Sequence, residues 1–161
     1  EQDLTNVSLR YASFSKETRW PPDFDGTKHA LFGPGAVFHD EDLSGQELNG
    51  TDLHGADLTG CSLADAELVG VDLTGATLTK VKFYSADLTR ADLSGAQLSH
   101  AAFSNATLVE TNFAGATLTG ADFEETDLSQ ANLTGADLTG CSYDDETRWP
   151  EGYTPPALSD D

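Results

Sequence analysis

A spacing of five residues governs most of this chain. Leu, Phe or Tyr stands at every fifth position from Phe38 to Tyr143 without interruption. These 22 positions, called centres below, are Leu in 16 repeats, Phe in 5 and Tyr in one. Since an α-helix turns once every 3.6 residues, a spacing of five cannot keep the centres on one helix face. The periodicity therefore excludes a helix for about two thirds of the chain.

Each five-residue repeat predicts a short extended segment followed by a bend. The position two residues before the centre is Ala in 13 of 22 repeats, and the other three positions are mostly polar or Gly. Side chains therefore alternate in, out, in, as in a strand, and the two following residues turn the chain. Gly, Asn, Ser and Asp are frequent in the turning positions, where bends need them.

A longer period of 20 residues indicates how the repeats close into coils. Phe83, Phe103, Phe123 and Tyr143 are 20 apart, and a column that starts at Gly55 is Gly in all five of its places. Four repeats therefore make one coil, and 22 repeats make about 5.5 coils about 4.8 Å apart. We expect the four aromatic centres to form one continuous ring stack inside the rod.

The repeat resembles a known family. Phrases such as ADLTG, VDLTG and ANLTG match the A(D/N)LXX pattern of the pentapeptide repeat proteins, from Ala36 to Asp145. The resemblance implies an all-β fold, a right-handed quadrilateral β-helix of about 5.5 coils with capping segments. It also implies that the Ala and centre positions point inward.

Three regions are expected: residues 1–35, a partial repeat and cap; residues 36–145, the β-helix; and residues 146–161, a cap and irregular tail. The boundaries follow from the unbroken run of repeats over residues 36–145, and a Glu-Thr-Arg-Trp-Pro segment occurs in both flanking regions, at 17–21 and at 146–150. A stack of repeats leaves apolar ends that need covering, so both segments are interpreted as caps. Glu41, Gln46 and Thr51 occupy positions that usually hold Ala, so we expect polar contacts from Leu4–Phe32 at that end.

Cys61 and Cys141 occupy the same position of the repeat as Ala. They are interpreted as small apolar fillers. Four coils separate them, about 19 Å, which is too far for a disulfide.

The charge limits the classes of partner. The formal net charge is −20, from 28 acidic and 8 basic residues. Direct binding to nucleic acid or to an anionic membrane needs a basic surface and is not expected. No apolar run is long enough for a transmembrane helix, so we expect a soluble chain. Because the sequence contains no Met, Glu1 is expected to follow processing or excision. The compartment and the oligomeric state stay open.

The outer positions supply the candidate functional residues. The first acid column contains Glu47, Glu67, Asp87 and, farther along, Asp127. The second acid column contains Asp52, Asp72 and Asp92. A basic spot contains Lys80, Lys82, Tyr84 and His100. No histidine pair falls at stacked positions, and no motif predicts a catalytic residue, a metal site or a cofactor.

Two functions follow from these surfaces. The first is a non-enzymatic scaffold or interaction module whose partner is another protein. The alternative is an acidic mimic of DNA that binds DNA gyrase or another DNA-binding protein. The resemblance implies this alternative, because the family includes quinolone-resistance proteins that protect or inhibit DNA gyrase. Residues 36–145 carry 19 acidic and 3 basic residues, a net charge of −16. A rod of about 26 Å matches B-DNA of that length, which carries about 15 charges. A solvated acidic face that only keeps the rod soluble is the simplest interpretation of the same columns.

Overall fold

The chain winds into a stack of coils joined by parallel single-residue β-bridges. The structure is a computed structural model, and it describes Ser13 and residues 31–157. Bridges pair residues 20 apart, from Val37 with Asp57 through Asp122 with Ser142. The described residues contain no helix and no strand longer than one bridge residue. Accordingly, the described residues contain no helix with the length and apolar character needed to cross a membrane. The architecture is the right-handed quadrilateral β-helix that the family resemblance implied.

Hydrogen bonds between coils repeat in a regular way. Within one repeat, the Leu58 N–H donates to the Thr77 carbonyl in the next coil at 2.8 Å, and the Asp57 N–H donates to the Ala36 carbonyl in the previous coil at 2.8 Å. The Gly60 N–H donates to the Thr79 carbonyl at 2.9 Å. Each extended segment is therefore tied to both neighbouring coils, which satisfies its buried backbone groups.

A tight turn closes each repeat. The Ala56 N–H donates to the Leu53 carbonyl at 3.0 Å, and Gly55 between them has a φ of 63°. A positive φ at the third residue of such a turn is the signature of type II. Among the described residues, nine that are not Gly adopt the same left-handed conformation, including Lys80 and His100.

The core is a narrow column of centres and small residues. Leu58, Phe83 and Ala96 are fully buried, as are most of their equivalents. At Cys61, Thr111 and Thr126, which stand in the Ala position, the side chain donates to the carbonyl of a centre in the coil before it. Thr111 donates to Leu88 at 2.9 Å, and Cys61 donates through its sulfur to Phe38 at 3.2 Å. These three side chains are tolerated in the core because each one has a buried carbonyl acceptor in reach.

Both cysteines are buried and free, in agreement with the sequence prediction. Burial raises the pKa of the Cys61 thiol and of the Cys141 thiol above the ordinary value. The two side chains therefore stay protonated and serve as packing atoms.

The predicted ring stack is correct for three rings and wrong for the fourth. Phe83 and Phe103 stack at 5.2 Å between ring centroids, and Phe103 and Phe123 stack at 5.1 Å. The Phe123 ring then meets Trp149 edge-on at 6.2 Å. Tyr143 also meets Trp149 edge-on, at 5.2 Å, and its hydroxyl donates to the Pro156 carbonyl at 2.8 Å. Tyr143 therefore lies beside Trp149 and the tail, where its hydroxyl has an acceptor, and does not continue the ring stack.

The C-terminal segment shifts the ladder by one residue. Asp127 bridges to Arg148, 21 residues later, and Thr147 takes the inward position that Ala usually holds. Trp149 then stacks on Tyr153 at 5.4 Å between ring centroids. These rings lie against the last coil, at the place where the sequence predicted a cap. The ladder runs on to Arg148, and the domain boundary at 145 stays a prediction.

At the other end, only part of the expected closure is described. Phe32 is buried and its ring lies 5.0 Å from that of Phe38. The polar contacts expected from Leu4–Phe32 stay a prediction. Glu41, Gln46 and Thr51 are half-buried. The predicted cap at 17–21 and the rest of the segment before Leu31, apart from Ser13, lie outside the described residues.

Candidate functional site

The acid columns are real neighbours in space. In the first acid column Glu47 bridges to Glu67, and Glu67 bridges to Asp87. Asp127 is separated from them by Thr107, which bridges to both Asp87 and Asp127. Bridged carboxylates are therefore separated by one coil spacing, about 5 Å. Because they are in contact with water, their mutual repulsion is about 1 kcal/mol or less.

The second acid column is the continuous one. Asp52 bridges to Asp72, which bridges to Asp92. Beyond Asp92 the column continues as amides: Asn112 donates to Asp92 at 3.1 Å, and Asn132 donates to Asn112 at 2.9 Å. One outer column thus changes from carboxylates to a ladder of amides along the rod.

Most of the outward aspartates also hold the turn that follows them. Asp72 accepts from the Thr74 N–H at 2.9 Å and from the Thr74 hydroxyl at 2.5 Å. Asp87 accepts the same pair of bonds from Thr89. The sequence reasoning treated these residues only as surface charge and missed this role. The signal was the recurring Asp-Leu-Thr phrase, in which an Asp side chain reaches the backbone two residues later.

At Asp57 and Asp127, contacts with the residue two positions later favour the ionised carboxylate. A hydrogen bond from the Thr59 hydroxyl is the main cause that lowers the pKa of Asp57 below its ordinary value. Burial opposes this shift, and the hydrogen bond with His39 adds to it. Ser129 lowers the pKa of Asp127 in the same way, through its side chain and its backbone. A hydrogen bond that is strongest to the charged form is the common cause.

The basic spot is exposed, and its members lie on adjacent edges. Lys82 bridges to Ser62 and Ala102, and Tyr84, two residues later, is 42 % exposed. Lys80 and His100 occupy left-handed corner positions with φ of 60° and 59°. The His100 ring lies over the next corner, where a Cβ on Gly120 would meet its Nδ1 at 2.6 Å. The Gly at that corner leaves room for the imidazole.

Two histidines lie beside outward aspartates. His39 Nε2 is 2.9 Å from Asp57 Oδ2, and His54 Nδ1 is 2.8 Å from Asp52 Oδ1. The ligand atoms of Asp52, His54 and Asp72 all lie within 4.8 Å of one another. The sequence reasoning compared histidines only with histidines and therefore did not bring His54 together with the second acid column.

Comparison with known proteins fits this geometry. A family model of pentapeptide repeats matches eight copies, over residues 36–75, 56–95, 72–108 and 108–142. The chain belongs to the pentapeptide repeat family. Comparison with curated protein sequences gave no match.

Solved structures of pentapeptide repeat proteins resemble this one. Rfr23 from the cyanobacterium Cyanothece 51142 aligns with a TM-score of 0.55 at 25% identity, over 70% of this chain and 90% of that protein. The protein alr5209 from Nostoc Pcc 7120 is 37% identical over 61% of this chain and 77% of its own, with a TM-score of 0.43. HetL from Nostoc sp. strain PCC 7120, involved in heterocyst differentiation regulation, is 28% identical over 77% and 70%, with a TM-score of 0.35. The first of these alignments supports the coil architecture of this pentapeptide repeat protein.

Proposed function

We propose that this pentapeptide repeat chain is a non-enzymatic interaction module that binds another protein through the outer columns of its rod. The observation that carries the proposal is the division of labour between positions. Centres such as Leu58 and Phe83 are fully buried, whereas the residues between them present ladders of polar groups to solvent. A repeated outer face of this kind suits a partner that contacts several coils at once.

Charge selects the class of partner. The two acid columns and the net charge of −20 favour a protein with a basic surface. The basic spot at Lys80, Lys82, Tyr84 and His100 is a second contact surface, with an exposed aromatic ring among cations. No cofactor is part of the proposal.

Capture of partners from a native lysate tests the proposal. The first-column variant Glu47→Gln/Glu67→Gln/Asp87→Asn and the second-column variant Asp72→Asn/Asp92→Asn remove charge and keep side-chain size. The variant Lys80→Gly/Lys82→Ser removes the basic spot and copies Gly60 and Ser62, which precede these residues by one coil. We expect the wild type to enrich a protein that at least one acid-column variant no longer enriches. Equal recovery of every protein on all the variants would contradict the proposal.

The alternative is mimicry of DNA, and one observation favours it. The net charge of −16 over residues 36–145, on a rod of about 26 Å, approaches that of B-DNA of the same length. In this case the partner is an enzyme that normally receives DNA, such as gyrase. A supercoiling assay tests it: inhibition or protection of gyrase at micromolar protein, lost in the acid-column variants, is the expected result. Unchanged supercoiling at that concentration would exclude gyrase as the partner.

A further inference from the structure

One short part of the second acid column differs from the rest in its donor atoms. Asp52, His54 and Asp72 bring two carboxylates and an imidazole within 4.8 Å of one another. One coil later, Asp72 and Asp92 repeat the two carboxylates, but Thr74 stands where the histidine would be. Across Ser13 and residues 31–157, no second group of three metal-ligating side chains comes this close together. The imidazole is therefore what sets this coil apart from the acidic ladder around it.

We propose that Asp52, His54 and Asp72 bind one divalent transition-metal ion of the Zn²⁺ class. Imidazole nitrogen together with carboxylate oxygen is a donor set that suits Zn²⁺, Ni²⁺ and Cu²⁺, whereas Mg²⁺ and Ca²⁺ prefer oxygen alone. Zn²⁺ binds nitrogen and oxygen donors at about 2.0–2.2 Å, so two donors on one ion lie about 3–4 Å apart. His54 Nδ1 and Asp52 Oδ1 are 2.8 Å apart, which is slightly shorter than that range. All three ligand atoms lie within 4.8 Å of one another, so small side-chain rotations bring them to the separations that one ion requires.

The fold positions the three ligands from two adjacent coils. Asp52 and Asp72 are bridged in the ladder, so their side chains leave the same face one coil apart. Asp52 also accepts from the His54 N–H at 3.3 Å, which orients its carboxylate toward the turn. The His54 side chain is 51% exposed and that of Asp52 is 27% exposed, so an ion reaches the site from solvent and keeps water in its other positions. The surrounding negative charge raises the local concentration of cations.

Titration of the metal-free full chain with Zn²⁺ alone, followed by calorimetry, tests the site. We expect one equivalent to bind, with Mg²⁺ unable to displace it. His54→Thr, which copies Thr74, is expected to weaken binding by more than ~10-fold. Its matched control is His39→Thr, which removes a similarly exposed histidine bonded to Asp57 and should leave binding unchanged.

A second matched pair separates the site from general acidity. Asp72→Asn and Asp92→Asn each remove one negative charge from the same column, but only Asp72 belongs to the cluster. Weaker binding for Asp72→Asn alone supports the site, and equal affinities for these two variants would overturn it. Absence of a bound equivalent in the wild type, or no change in His54→Thr, would also overturn it. Circular dichroism establishes that each variant is folded, and the metal readout is independent of any protein partner.

Discussion

At the scale of single residues, the outward aspartates have two tasks. They give the surface its charge, and they fix the turn that follows by accepting bonds from the residue two positions later. Asp137 shows this clearly: it accepts from the Thr139 N–H at 3.0 Å and from the Thr139 hydroxyl at 2.6 Å. Asn performs the second task equally well, since Asn132 accepts the same two bonds from Thr134. The choice of Asp over Asn at such a position is therefore a choice of charge.

This dual role predicts a pH dependence. The Thr139 side chain and backbone, with a smaller contribution from Thr119, hold the pKa of Asp137 below its ordinary value of 3.8. The folded state therefore gains stability that is complete above this value and is lost as the pH falls through the lower folded pKa. Asp137→Asn removes the titration and keeps the turn. Chemical unfolding at pH 7 and then between pH 4 and pH 2 should show wild type losing stability relative to the variant. A constant difference between the two proteins would contradict this prediction.

The left-handed corners give a second prediction at this scale. Gly75 has a φ of +63°, and a Cβ added there would meet no atom within 4 Å. Gly75→Ala therefore tests backbone conformation alone and should lower the free energy of unfolding by about 1 kcal/mol. Gly75→Asn should cost less, because Asn tolerates this conformation and already occupies it at Asn105. Thermal unfolding of the three proteins measures the order, and an Asn variant less stable than the Ala variant would refute the explanation.

At the scale of elements, the coil is the unit that the sequence predicts well. Inward residues five apart leave no alternative to a four-sided coil once the 20-residue period is included, because any other closure breaks the aromatic column. What the period could not predict is the end of the rod. One extra residue between Tyr143 and Trp149 lengthens the spacing between bridged residues from 20 to 21. A strict five-residue spacing therefore predicts that Tyr143 continues the ring stack, whereas in the structure its ring contacts Trp149.

The three-ring stack carries a prediction about core energetics. Phe103 is fully buried and lies against Phe83, Phe123 and, edge-on, Phe113. Phe103→Ala should lower the free energy of unfolding by about 3–5 kcal/mol, through lost burial and the cavity left in the column. Phe103→Leu is the control, since Leu is the commonest centre, and should cost less. Denaturant unfolding with a loss below about 1 kcal/mol for the Ala variant would contradict the packing described.

At the scale of the whole molecule, the sequence predicts which outer residues become neighbours in the ladder, but not how their side chains approach one another. The acid columns were predictable because residues 20 apart in sequence become neighbours by the coil length alone. The approach of His54 to Asp72 was not, because it depends on side-chain directions across two coils. The rod's outer faces therefore differ in chemistry: two acid columns, an amide continuation at Asn112 and Asn132, and a basic spot.

The central claim is that inner positions build this pentapeptide repeat rod and outer positions carry its function. The affinity of a captured partner, measured by calorimetry, tests it most directly. The first-column variant Glu47→Gln/Glu67→Gln/Asp87→Asn, the second-column variant Asp72→Asn/Asp92→Asn and the core variant Phe103→Leu are compared with wild type. The account predicts that at least one acid-column variant binds at least ~10-fold more weakly, which corresponds to about 1.4 kcal/mol, with unchanged or higher thermal stability. It predicts wild-type affinity for the less stable Phe103→Leu. Wild-type affinity in both acid-column variants, together with weaker binding in Phe103→Leu, would contradict it.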